Sequence, residues 1–559
     1  MFAMAPTDVT NANPTPLPDI ADPADTNKTP DTQNTNPIHS QRTIARAASI
    51  TAIGNISSRI VGLIAVTVRT YYFGNSQAAS AFELASNIPT IFNDLLAGGM
   101  LSSALVPTFS GYAADEHNVE KRAHFGALLG ALIGLATVGL TALVGVLWLL
   151  AQPLAALITG GQNQDIGLLT TLLRLTIPAV IFMNLSGIVT AALFARHRFA
   201  YTAFTATAFN VVMIVCTALF EQRLGPAALG VGLLAGSIVQ MAIQFPGLRG
   251  VPIRISLNWR LSGISQIVRL FMPVAGGLVL AQIAAQLSFS FANLISPEGP
   301  ATMRYAAQVI QFPLGMVVVA IAAAILPTLS AQAHQTTLDA FKGTLAQGLR
   351  LVSVLIVPSA VGLLVLGQPI IALLFQRGQF SAESTAYTVT ALQAAIPGLV
   401  FAAIDTPLIF SFYALRDTRT PTFIGLVATV FFLVLIGSLL WLDRSGIRRF
   451  ELVDLVMANS LKTGVDAVLM GIFLMRKIGG LRGFGISQLL GKTMLASGVM
   501  GVIVWSVADG LMAWVGSATF IAHLVVAGGG AVAGVAVYVL CAYLLKVRDL
   551  AMLKQMLRK

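Results

Sequence analysis

Four ionisable residues, Arg59, Arg69, Glu83 and Asp94, stand in two neighbouring apolar runs of a chain that carries little charge elsewhere. A guanidinium offers forked donors suited to phosphate or carboxylate oxygens. A carboxylate in the same setting neutralises such a cation or lines a cavity. The two runs meet at a short link near Gly74–Ala79. As antiparallel helices they would place Arg59 and Asp94 at like depth, roughly 22 Å from the link, and Arg69 and Glu83 at like depth beside it. Glu83 and Asp94 would then lie about 20° from a common helix face. This predicts two cross-helix ion pairs, Arg59–Asp94 and Arg69–Glu83. The plainer reading is that they neutralise buried charge and pin the two helices. The functional reading is that Arg59 faces a cavity and takes a phosphate, with Asp94 releasing it when the anion arrives.

Further along, Arg304 opens another apolar run, either as an interfacial arginine that snorkels to water or as a cavity cation. Asp405 lies in Ala403-Ile404-Asp405-Thr406-Pro407, where the proline releases backbone groups next to a carboxylate that could hold Na⁺ or H⁺. A later run holds Asp454, Lys462 and Asp466. Lys462 and Asp466 stand one helical turn apart and can pair locally, or the carboxylates can serve as a cation or proton relay. The histidines form no metal-spaced cluster, and Cys216 and Cys541 build no disulfide framework. No catalytic group and no metal site is expected, only possible coupling to Na⁺, H⁺ or the membrane potential.

The elements that hold these residues follow from composition. The chain has 559 residues, 56% hydrophobic and only 10% charged, with a mean hydropathy of +0.80. Soluble domains run near 25% charged. That deficit excludes a soluble enzyme and a nucleic-acid binder despite a net charge of +11. At about 20 apolar residues per crossing, the chain has room for about fourteen transmembrane helices. The spans read as 44–73, 80–112, 123–151, 166–194, 200–220, 226–246, 265–295, 303–333, 342–366, 384–413, 421–442, 451–475, 486–511 and 519–546. Residues 5–40 are rich in Pro, Thr, Asn and Asp, lack aromatics, and read as a disordered tail. Alternate loops hold most of the basic residues, among them Arg42, Lys121, Arg196, Arg254, Arg416, Lys477 and Lys546. The positive-inside rule puts those loops and both termini in the cytoplasm.

The chain also resembles itself at an offset of about 220 residues. Ala151-Gln-Pro-Leu-Ala-Ala-Leu matches Gly367-Gln-Pro-Ile-Ile-Ala-Leu, Gly161-Gln162 matches Gly378-Gln379, and Val106-Pro-Thr-Phe-Ser matches Leu326-Pro-Thr-Leu-Ser. Helices 1–6 (41–250) and 7–12 (251–480) are therefore expected to be two lobes of like orientation related by a pseudo-twofold axis along the membrane normal. Two facing lobes make a cavity that can open to either side. Residues 481–559, with the last two helices, fall outside the repeat.

Several stretches carry a family resemblance. Ala81-Phe82, Asn87-Ile88-Pro89 and Leu101-Ser-Ser-Ala-Leu-Val-Pro107 resemble the second helix of the MurJ/MviN-type lipid II flippases. Arg304-Tyr305-Ala306 and Gln311-Phe-Pro-Leu-Gly315 are similar to the eighth. Leu374-Phe-Gln-Arg-Gly-Gln-Phe380 and Tyr413-Ala-Leu-Arg-Asp-Thr-Arg-Thr-Pro421 also match the family pattern. The resemblance implies an all-α membrane fold of fourteen helices, with the final pair helping to form a groove for a lipid tail. It implies transport of an undecaprenyl-pyrophosphate-linked peptidoglycan precursor across the bacterial cytoplasmic membrane by alternating access, with no bond made or broken. It also places arginines in the cavity. Of these Arg59 is kept, Ala65 stands at a second position, Asn93-Asp94 replace a pair, and Gln308 stands on the eighth helix with Arg304 one turn away. The substrate contacts implied are Arg59, Arg304, Asn93 and Gln308.

Two other functions compete with this one. A net negative cavity would favour export of a small cation, and another lipid-linked polysaccharide would suit the same superfamily. A scaffold that no longer transports, recruiting cell-wall synthesis enzymes through the tail, is a different class. The expected partners are the lipid-linked precursor and membrane lipids, with no nucleic acid.

Overall fold

A computed structural model describes residues 37–96, 100–113, 119–161, 166–333, 335, 337–516 and 519–547. All regular structure among the described residues is helical. In chain order the long helices are α1 (Pro37–Phe73), α2 (Gln77–Leu96, followed by a helix over Met100–Ala113), α3 (Val119–Leu149), α4 (Ile166–Ala195), α5 (Ala200–Leu224), α6 (Ala227–Leu248) and α7 (Ser262–Ile295). Then come α8 (Gly299–Gln332), α9 (Asp339–Phe375), α10 (Ala382–Ala414), α11 (Arg419–Arg444), α12 (Leu452–Ile478), α13 (Ile486–Val515) and α14 (Phe520–Leu544). Eleven of these, α3–α6 and α8–α14, are long and apolar enough to cross a membrane. The expected count of fourteen is thus not reached by that criterion, although α1 and α7 run 37 and 34 residues. The expected tail over residues 1–40 lies almost wholly outside the described residues.

Three helices, α4, α10 and, outside the repeat, α14 at Lys546 (φ +54°), end in the same backbone geometry. α4 ends with Arg198 N–H donating to the Leu193 carbonyl (2.9 Å) and His197 N–H to Phe194 (3.0 Å), with His197 at φ +55°. α10 ends in the same way, with Asp417 N–H on Phe412 (2.9 Å), Arg416 N–H on Tyr413 (3.0 Å), and Arg416 at φ +57°. Each is a left-handed C-cap that satisfies the last carbonyls. None of the three uses the usual glycine, so each spends a little backbone strain there. Gly161 (φ +72°) and Gly378 (φ +61°), matched in sequence, also share the left-handed conformation.

Apolar packing groups the helices. One buried cluster draws only on residues between Ala104 and Ile267. Two more lie between Val318 and Ile478. A larger cluster spans both halves, from Val66 and Phe82 to Tyr305 and Phe375. The last pair forms its own contacts: Met500, Val504 and Val526 pack with Leu366 of α9, and the Tyr538 hydroxyl donates to the Val354 carbonyl (2.7 Å). α13 and α14 are therefore fixed to α9.

Candidate functional site

The site is assembled from both halves around α8. Its best-defined part is at one end of the bundle. Glu83, 2% exposed, sits between two guanidiniums: Arg69 Nη2 lies 2.7 Å from Oε1, and Arg304 Nε donates to Oε2 at 2.7 Å. Aromatic rings close around them, with Arg69 5.7 Å from the Tyr305 ring and Arg304 5.0 Å from that of Phe289. A buried carboxylate needs such partners, because its water is gone. Arg304 therefore neither snorkels nor acts alone; it is tied to α2, 221 positions earlier in the chain.

More bonds cross the same end. Asn75 Nδ2 donates to Thr302 Oγ1 (2.8 Å), Ala301 N–H to Ser80 Oγ (3.2 Å), and the Tyr305 hydroxyl to the Gly74 carbonyl (2.9 Å). The link between α1 and α2 also meets the link between α9 and α10. Gln379 N–H donates to the Tyr71 carbonyl at 2.9 Å. A Cβ on Gly378 would lie 2.2 Å from the Tyr71 carbonyl oxygen, and one on Gly74 2.4 Å from that of Gln379. Both glycines have positive φ, so bare backbone is required at each for two reasons.

Deeper in the bundle the expected Arg59–Asp94 pair is not formed. Asp94 receives a long bond from Gln282 Nε2 of α7 (3.5 Å). Arg59 Nη1 instead donates to the Gln311 carbonyl of α8 (3.1 Å). Like depth does not fix like azimuth, and Pro89 lies inside α2 between Glu83 and Asp94, so the straight-helix estimate fails there. Asn93 lies half-buried beside Asp94, and its side chain reaches that carboxylate. At the neighbouring level Asn87 Nδ2 donates to Gln286 Oε1 (2.5 Å), again joining α2 to α7.

Two cavities flank α8. A chamber of about 470 Å³ lies among α7, α8, α10 and α12; its lining is mostly apolar, with Phe289, Ile310 and Leu399, but it gathers the polar side chains of Ser288, Arg304, Gln311, Asn459, Ser460 and Thr463. Asn459 Nδ2 donates to Ser288 Oγ across it (2.7 Å). Gln308, the expected contact, is half-buried to the side, and Gln311 takes the lining position. At 100° per residue Ala307, Gln311 and Leu314 lie within about 80° on one side of Arg304, and Gln308 lies about 40° to its other side. The second cavity is apolar, about 630 Å³, and is walled by Phe312 and Pro313 of α8, Leu363 and Leu366 of α9, and residues of α13 and α14 such as Val504 and Val535.

The acidic candidates separate. Asp405 is 7% exposed and its side chain approaches that of Asp466, with Oδ1 of each lacking a hydrogen-bond partner. Lys462 faces Asp466 closely enough for their charges to interact but makes no direct ion pair with it among the described residues, and its Nζ lies 5.9 Å from the Phe432 ring. Asp454 is engaged elsewhere. It pairs with Arg448 and accepts from Glu451 N–H (3.1 Å) in the capping box of α12, which is a structural task and not a relay. Outside the spans, Asp417 accepts from Lys477 Nζ (2.6 Å), Thr420 Oγ1 (2.8 Å) and Thr420 N–H (3.1 Å). Burial pushes this carboxyl up, but those three donors outweigh it and hold it at about 2.

A helical bundle with eleven helices long and apolar enough to cross a membrane, bonded at one end and hollow around α8, defines a polytopic helical membrane protein. The fold matches a solved structure described as lipid II flippase MurJ in an inward closed conformation, with a TM-score of 0.74 and 21% identity over 90% of this chain and 99% of that one. It also matches an inward-facing MATE family multidrug transporter, with a TM-score of 0.61 and 13% identity over 76% and 95%. The model of the lipid II flippase MurJ family covers residues 70–525, and the chain belongs to that family. Curated relatives include a probable lipid II flippase MurJ of Vibrio cholerae, 28% identical over 84% of this chain and 90% of the relative. A lipid II flippase MurJ of Burkholderia cenocepacia is 27% identical over 66% and 73%.

Proposed function

We propose that the chain moves lipid II, the undecaprenyl-pyrophosphate-linked peptidoglycan precursor, across the bacterial cytoplasmic membrane by alternating access, acting as a transporter and not as an enzyme. The observation that carries this reading is the division made by α8. Arg304 and Gln311 line the chamber that gathers the polar side chains, while Phe312 and Pro313 line the apolar cavity beside α13 and α14. An amphiphile with a pyrophosphate-sugar head and a long isoprenoid tail suits that division. Arg304 on the chamber wall and Arg59 at the Gln311 carbonyl supply cationic donors for the pyrophosphate. Asn93, half-buried on α2, and Gln311, on the chamber wall in place of Gln308, would meet the sugar rather than the charge.

The bonded end, at residues 69–83, 299–305 and 378–380, is then the outer gate, and both termini lie in the cytoplasm by the charge distribution of the loops. The facing carboxyls of Asp405 and Asp466 are the coupling site in this reading. Two like charges in contact are balanced by one proton or one small cation held between them. The test is complementation of cells depleted of their own lipid II flippase. Growth with a normally inserted protein supports the reading, and lysis despite normal insertion refutes it.

A further inference from the structure

Helix α8 is broken in a way that the flippase reading does not require. Pro313 has no N–H to give the Val309 carbonyl, and residues Leu314–Val318 follow as a π-helical segment. At the break one amide, that of Leu314, is divided between the carbonyls of Ile310 and Gln311. A widened turn of this kind leaves carbonyls with less than a full backbone donor. The Gln311 carbonyl has only its share of the Leu314 amide, and it also accepts from the Arg59 guanidinium of α1, 252 positions earlier. The guanidinium lies flat on the backbone one turn further along. A Cβ on Gly315 would be 2.2 Å from both Nη atoms and 2.3 Å from Cζ of Arg59.

We propose that the break in α8 is a dock for Arg59, made by the Gln311 carbonyl and the bare Cα of Gly315, which competes with the pyrophosphate for the same guanidinium. Gly315 is thus a positioning residue for Arg59. A neutral carbonyl accepts one hydrogen bond from a cation, whereas a pyrophosphate offers full negative charge and several oxygens. The dock is strong enough to hold Arg59 beside the chamber when no anion is present and weak enough to give it up. While docked, Arg59 ties α1 to α8. Once it turns to the anion, that tie is lost, so anion capture loosens the contact between the two halves at mid-membrane. The identity of the anion rests on the flippase reading; the dock itself does not.

The full-length protein in lipid nanodiscs tests this, as wild type, Arg59→Ala, Gly315→Ala and the double variant. Gly315→Ala should leave α8 in place, because the atoms it meets are the movable end of a long side chain. The unfolding midpoint without ligand reports the dock. The two single variants should shift it non-additively, with Gly315→Ala having no effect once Arg59 is gone. Shifts that simply add would overturn the dock. Affinity for farnesyl pyrophosphate reports the exchange. Gly315→Ala should bind roughly tenfold tighter than wild type, since it removes the competitor, and Arg59→Ala should erase that gain. Unchanged or weaker binding by Gly315→Ala, in a preparation whose wild type binds, would overturn the exchange. If the wild type does not bind at all while the midpoints still couple, the pyrophosphate reading fails and the exchange with it, but the dock stands. Arg59→Lys gives a second route: it keeps the charge without the planar fork, and should be insensitive to Gly315→Ala in both measurements.

Discussion

Arg304 Nε meets Glu83 Oε2 at 2.7 Å, joining α8 to α2 through a carboxylate that Arg69 also engages. One buried anion thus serves two cations from different halves of the chain. Glu83→Gln removes the anion and leaves both guanidiniums facing each other. Breaking a buried pair in this way costs about 3–5 kcal/mol. Thermal unfolding in detergent should show a fall of several degrees, whereas Arg304→Gln, which leaves the Arg69–Glu83 pair intact, should show a smaller one. Equal midpoints for wild type and Glu83→Gln would mean that the cluster bears no load.

The glycine contact between the two outer links makes a conformational prediction. Gly378→Ala puts a methyl group into the Tyr71 carbonyl and forces a positive φ on alanine. Strain of about 1–3 kcal/mol at one point shifts a two-state equilibrium by about fivefold to a hundredfold. In a background lacking Cys216 and Cys541, Ser288→Cys on the chamber wall should react faster with a membrane-impermeant thiol reagent added outside when Gly378→Ala is present. No change in rate would show that the contact does not close the outer side.

Asp417 predicts a pH dependence. Its carboxyl is held down at about 2 by Lys477 and Thr420. A depressed carboxylate contributes stability that is complete above its unfolded value near 4 and is lost as pH falls towards 2. Asp417→Asn should therefore melt below wild type at pH 5–7, and the gap should close between about pH 4 and pH 2. A gap that stays constant down to pH 2 would mean that these bonds do not depend on the charge.

The apolar cavity can be filled without harming the fold. Gly362 lines it, and a Cβ there meets nothing within 4 Å. Gly362→Phe should leave expression and midpoint close to wild type while cutting transport of a long-tailed substrate several-fold. Binding of inorganic pyrophosphate, which has no tail, should be unaffected. Equal loss for both ligands would place the tail elsewhere.

The residues explain which of these features could be read from sequence. The helical spans follow from apolar runs, eleven of the fourteen expected meeting the criterion of length and apolarity, whereas the left-handed ends of α4 and α10 carry no glycine to announce them. The closeness of Arg69 and Glu83 follows from depth alone, because only a short link separates their helices. The bond from Arg304 to Glu83 does not, since depth arithmetic works within a hairpin and says nothing of which helix from the other half arrives alongside. Pairing Arg59 with Asp94 matches side chain with side chain. The partner Arg59 takes is a backbone carbonyl beside a break in α8 that residue types announce only through Pro313 and Gly315. Gln308 was placed by its likeness to a family position, and the pitch of α8 brings Gln311 to the chamber in its place.

The central claim is that Arg59 serves transport of a pyrophosphate-linked lipid through the space around α8. Its most direct measurement is the appearance of lipid II at the outer face of spheroplasts in which this protein, or its Arg59→Ala variant, is the sole flippase, scored by susceptibility to an externally added lipid II-cleaving enzyme. The account predicts cleavage with the wild type and at least a tenfold loss with an equally abundant Arg59→Ala protein. Lipid II that stays protected with the wild type, or is equally exposed by both proteins, would contradict it.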